Sequence, residues 1–146
     1  VRLRWADVSD EAMTIFDSKG RPGQGPRAHQ VPLVKLARAD LSLLKREGDF
    51  AISTTAGKKA ISVRTLAGWA HAIVGEKIEG FQLKRIRSGV ETLLAAHGVS
   101  REVRGHLQSH GMTGVQARHY DGHDYMPEKR LALEILCREL QSKAVP

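Results

Sequence analysis

The chain reads as a mainly α domain carrying a small antiparallel β-sheet, an α+β class, and three observations predict this. Apolar residues recur at helical spacing in separate stretches from residue 36 to residue 142. Two β-prone runs flank a ten-residue segment, 18–27, that holds three glycines and two prolines and so reads as a long hairpin tip. The 146 residues, 41% of them apolar, make one domain by size with enough apolar content for a single packed core.

Each element has its own signal. Val1-Arg2-Leu3-Arg4-Trp5-Ala6-Asp7-Val8 is an abrupt apolar start with no capping residue before it. Residues 12–17 and 28–34 are the two strands of the hairpin. Gly20, Gly23 and Gly25 do not make a phosphate-cradling loop, because no helix opens after them and Pro22 and Pro26 remove two backbone donors. A helix is expected over 36–47 from Leu36, Leu41, Leu43 and Leu44, with Gly48 as its stop. A brief strand at 50–53 would give the sheet a third member. Residues 54–59 then turn, and Gly57-Lys58 lacks the upstream glycine of a nucleotide-binding loop. Ser62 is placed to cap a helix through Val74 whose stripe of Val63, Leu66, Trp69 and Ile73 reads as core, with His71 off that stripe.

A further helix runs from about Lys84 to His97, ended by Gly98, with Val90, Leu93 and Leu94 on the packed side and Lys84 and Arg87 sharing a face. Ser100 caps the next helix, which reaches about Leu107 and has Glu102 near its positive end. Thr113 or Gly114 begins a short helical turn that presents Tyr120. The last helix, 127–142, has proline in its first turn and Leu131, Ile135, Leu136 and Leu140 as apolar positions. No internal repeat is present.

Charge narrows the function. Lys and Arg outnumber Asp and Glu by 23 to 16, the net charge is +7 and the pI is near 9.9, which favours a polyanionic partner. Aromatic residues are only 5%, so phosphate contacts rather than base stacking are the expected mode. No run approaches 18 apolar residues, so no membrane partner is expected. The start shows no charged-then-apolar leader, and the single Cys137 cannot form an internal disulfide, which fits a reducing compartment. Two histidine pairs at i, i+4 spacing, His106 with His110 and His119 with His123, could chelate zinc. The first lacks the glutamate of a zinc hydrolase and Gly122 weakens any helix under the second, so no metal is expected.

The order of short motifs carries a resemblance. Gln82-Leu83-Lys84-Arg85-Ile86-Arg87-Ser88 is followed by Gly98-Val99-Ser100, Leu107-Gln108-Ser109-His110, Tyr120-Asp121 and Tyr125-Met126-Pro127-Glu128-Lys129-Arg130-Leu131-Ala132-Leu133. Over nearly all its length the chain resembles the catalytic domain of phage-type integrases of the tyrosine recombinase family, nearest those of prophages and genomic islands. The resemblance implies the fold shared by these enzymes and type IB topoisomerases, with residues 1–146 as one catalytic-domain fragment. Leu3-Arg4-Trp5-Ala6-Asp7 matches the stretch just after the family's first catalytic arginine, so that arginine and the arm-binding and core-binding domains are expected upstream of Val1. The fragment alone is then expected to be inactive or nearly so.

The chemistry suits the residue types. Phosphodiesters resist attack because anionic oxygens repel nucleophiles and the leaving alkoxide is basic. A catalyst must therefore neutralise the phosphorane, supply a nucleophile and protonate the leaving group. By the resemblance, Arg87 grips the phosphate with its planar fork. Tyr120 attacks phosphorus to give a 3′-phosphotyrosyl link, which conserves the bond so that no cofactor is needed. Lys19, on the hairpin turn, protonates the 5′ oxygen, and His110 hydrogen-bonds the scissile phosphate. Lys84 stands where the family more often has histidine and is expected to contact phosphate.

The implied activity is DNA integration and excision at attachment sites in a bacterial cytoplasm, at the nucleoid. The implied assembly is a homo-tetramer on double-stranded DNA with exchange of the C-terminal helix, aided by a DNA-bending or directionality protein. Three alternatives stay open: a non-catalytic DNA-binding remnant, a topoisomerase-like relaxing enzyme, and a basic protein-interaction domain.

Overall fold

A computed structural model describes residues 2–17, 25–109 and 123–143. The two β-prone runs pair as an antiparallel two-stranded sheet, β1 (Ala12–Asp17) with β2 (Arg27–Pro32), in a register that sets Ala12 opposite Pro32 and Asp17 opposite Arg27. Ser9 fixes the entry to β1, since its hydroxyl accepts from the Ala12 amide at 3.1 Å and its own amide donates to the Ala12 carbonyl.

Five α-helices are described: α1 (Lys35–Ser42), α2 (Val63–Val74), α3 (Lys84–Ala96), α4 (Arg101–Gln108) and α5 (Met126–Lys143). Single 3-10 turns occur at Trp5–Asp7 and Gly75–Lys77. The local signals act as their chemistry requires. Ser62 accepts from the Thr65 amide and Ser100 from the Val103 amide, each satisfying a donor that a helix start leaves over. Gly98 follows α3 at φ +75°, where a side chain would be strained. Asp124 accepts from the Met126 amide at 3.0 Å ahead of Pro127.

The core is where the hairpin meets three helices. Leu94 of α3, Leu107 of α4, Ala132 of α5 and Val31 of β2 are buried together, with Met13, Val90, Val103 and Leu136 packed around them. Side chains on α5 reinforce this seam. Arg130 donates to the carbonyls of Leu33 and Glu11 and to the Glu11 carboxylate. Lys129, 5% exposed, donates to the Gln30 carbonyl at 3.2 Å.

Three expectations are corrected. The helix expected over 36–47 ends at Ser42, because Leu43 and Leu44 donate to carbonyls three residues back and the Leu43 side chain stands in solvent. The segment 50–53 is no strand. Phe50 makes a single bridge to Arg4, and the chain is then turned away by Ser53, whose hydroxyl accepts from the Thr55 amide and donates to the Lys59 carbonyl. The α2 stripe expected to be core is largely exposed, Val63 at 68% and Ile73 at 79%, because among the described residues the helix leans chiefly on the turn that follows it. Leu131 and Leu140 of α5 face outward as well. No helix among the described residues is long and apolar enough to cross a membrane.

Candidate active site

Of the predicted site residues, Lys84 and Arg87 lie within the described structure; Lys19, His110 and Tyr120 lie outside the described residues. Lys84 opens α3 and Arg87 follows one turn later, so both long side chains leave the helix on one exposed face.

Arg87 reaches the C-terminal end of α4. Its Nε donates to Gln108 Oε1 at 3.0 Å and one terminal nitrogen donates to the Gln108 carbonyl oxygen. A helix end leaves its last carbonyls without intrahelical donors, and a cation there is doubly favourable, as a donor and as a charge on the negative pole. The neighbouring carbonyls are served in the same way. His29 Nε2 lies 3.0 Å from the Leu107 carbonyl oxygen and must donate to it, since a carbonyl can only accept. Arg27, the first residue of β2, donates to Ser109 Oγ at 2.6 Å and reaches the Ser109 carbonyl at 3.4 Å.

Ser109 is held by this. It adopts the left-handed region, φ 55° and ψ 38°, at a cost of about 1–2 kcal/mol for a residue with a side chain. Its amide still donates to the Gly105 carbonyl, and the Arg27 bond to its hydroxyl offsets part of the strain. The backbone thus leaves α4 in the left-handed conformation at the residue before His110, with guanidinium groups from β2 and α3 bonded to Ser109 and Gln108.

A second layer sets the tilt of Gln108. Glu91 of α3 accepts from Arg104 Nε at 2.7 Å through one oxygen and from Gln108 Nε2 at 3.1 Å through the other. Because a carboxylate only accepts, Gln108 must turn its amide nitrogen to Glu91 and its oxygen to Arg87. Arg104 is further fixed by the Val99 carbonyl. The sequence reading missed this relay and missed Arg27. The signal available was an acid one turn after Arg87 on the same helix, but its partner in α4 is a tertiary choice.

The chain's other tyrosine, Tyr125, is committed elsewhere. Its hydroxyl donates to Glu102 at 2.7 Å and its ring stacks on His106 with centroids 3.9 Å apart. His123 bonds Glu128 at 2.9 Å, which holds the Glu128 carboxyl below its ordinary range. Among the described residues no three histidine, cysteine or acidic side chains gather as metal ligands. His110 and His119 of the two histidine pairs lie outside the described residues.

No protein-family model matches the chain, and neither does any curated protein or solved structure.

Proposed function

We propose that the chain is the catalytic domain of a site-specific DNA recombinase of the tyrosine type, cleaving and rejoining duplex DNA through a 3′-phosphotyrosyl link at Tyr120. The observation that carries this reading is the meeting of Arg87 and Arg27 at residues 108 and 109. Cations from two elements distant in sequence converge where the stretch from His110 to Tyr120 begins. That convergence supports a phosphate pocket at this end of α4. The two arginines also serve different acceptors of the helix end, Arg87 at Gln108 and Arg27 at Ser109, so each keeps its guanidinium there without a carboxylate partner at either contact.

In this reading Arg87 uses one edge of its fork to hold itself on Gln108 and turns the remaining N–H groups to the scissile phosphate, stabilising charge as it develops. Arg27 is an addition to the set expected from sequence. Lys84, on the same face as Arg87, contacts a neighbouring phosphate oxygen. His110 donates to the phosphate, and Lys19 protonates the 5′ oxygen. Tyr120 is the nucleophile by the resemblance, and the phenol of Tyr125 is bound to Glu102. The recombinase fold, tetrameric assembly on attachment sites and a cytoplasmic location belong to the same reading.

The test is covalent capture. The full-length parent that the resemblance implies, carrying the upstream arginine, is expressed in bacteria and denatured, and DNA-linked protein is recovered and digested. A nucleotide-modified peptide containing Tyr120 is expected, absent from Tyr120→Phe and reduced at least a hundredfold in Arg87→Ala. Duplex binding with no adduct from the wild type would replace this reading with a non-catalytic DNA-binding one.

A further inference from the structure

A second cationic feature lies away from α4. Arg2, Phe50 and the segment from Lys58 to Val63 line an open cleft of about 470 Å³ at the start of α2, with Arg2, Lys58 and Lys59 as its cations. No acidic residue lines it, and among the described residues none of the three cations forms an ion pair. Three positive charges around one hollow repel each other, and the remedy elsewhere in this protein is a carboxylate, as Glu91 provides for Arg104.

The backbone around the lysines is fixed before any ligand arrives. The Lys59 amide donates to Thr55 Oγ1 at 2.9 Å, and the Ser53 hydroxyl donates to the Lys59 carbonyl at 2.7 Å. The amides of Asp49 and Phe50 both donate to the Gly57 carbonyl. The lysines therefore lose little backbone freedom on binding an anion.

We infer that this cavity is a phosphodiester-binding site that holds the backbone of the duplex away from the cleavage centre, with Lys58, Lys59 and Arg2 as its contacts. The inference rests on the reading that duplex DNA is the substrate and extends it to a surface that does no chemistry. Phe50, Ala60, Ile61 and Val63 are the apolar part of the lining, so the cleft offers apolar contact to sugar carbons beside its cations. Binding here is expected to be independent of sequence.

Binding of a random-sequence duplex is measured by fluorescence anisotropy across about 50–200 mM salt for wild type and Lys58→Ala/Lys59→Ala. Each phosphate contact contributes about 0.9 to the slope of log affinity against log salt, so the double variant is expected to be shallower by about 1.8. Its thermal midpoint should match the wild type, because both side chains project into solvent-accessible space. Lys45→Ala/Lys77→Ala, which removes as much charge outside the cavity, should leave the slope within about 0.5 of wild type. An unchanged slope in Lys58→Ala/Lys59→Ala, or an equal loss in the control variant, overturns the inference. The adduct at Tyr120 reports separately on the recombinase reading: a lost slope with no wild-type adduct leaves the cavity a DNA contact and removes the chemistry.

Discussion

Neutralising Glu91 without changing its shape should misdirect Gln108 and, through it, Arg87. In Glu91→Gln the amide oxygen can still accept from Arg104, but its nitrogen then faces the nitrogen of Gln108. If Gln108 turns over to relieve this, its nitrogen faces Arg87 Nε instead. One donor is left against another in either arrangement. The side chains of Arg104 and Glu91 are 15% and 32% exposed, so water relieves only part of the conflict, and the loss should be about 1–2 kcal/mol, below the full cost of a buried unsatisfied donor. Adding Gln108→Glu restores the relay with its charge moved: the amide introduced at position 91 would donate to the carboxylate introduced at position 108, which accepts from Arg87. Urea unfolding at neutral pH should therefore place the double variant within about 0.5 kcal/mol of wild type, a strongly non-additive pair. A single variant within about 0.3 kcal/mol of wild type, or a double variant no more stable than the single, refutes the relay.

Four further outcomes rest on glycine geometry, core burial and two perturbed groups. Gly57 sits at φ +75° with the position of a Cβ only 1.5 Å from the Glu47 carbonyl oxygen, so Gly57→Ala must push the backbone apart and should cost more than about 2 kcal/mol in urea unfolding. Leu94, fully buried between α3, α4 and β2, should lose about 2–5 kcal/mol as Leu94→Ala; a loss under about 1 kcal/mol would show that the core is not where Leu94 places it. Burial pushes the Lys129 ammonium below its ordinary value of 10.5. Between the lowered value and 10.5 the unfolded chain holds the proton and the folded chain does not, so stability rises with pH across that window and falls back as pH drops toward the folded value. Lys129→Met should abolish that alkaline rise in the urea midpoint, and an unchanged rise would assign it to another group. Burial, aided by Glu134 and Asp40, raises the Cys137 thiol, so its alkylation at pH 8 should be slower in the folded chain than in urea, and equal rates would contradict the packing of α5.

How much of this was legible in advance depends on the range of the interaction. Serine caps at 62 and 100, the glycine after α3 and the hairpin around its glycine- and proline-rich tip are each decided within a few residues, and all were readable. The helix stop after Ser42 and the lost strand at 50–53 were misread because apolar residues alone do not say whether a partner exists. The same is true of α2, whose stripe has the right period but leans little on any other layer among the described residues.

The sequence by itself determined the α+β class, the cationic excess and the shared face of Lys84 and Arg87, since composition and helical period are properties of the chain alone. Only the tertiary structure decided that Arg27 meets Ser109 across 82 residues and that Arg87 meets Gln108 across 21. The physical reason is that a guanidinium is drawn to whichever helix end the core brings within reach. Here the burial of Leu94, Leu107, Val31 and Ala132 against one another brings the end of α4 there.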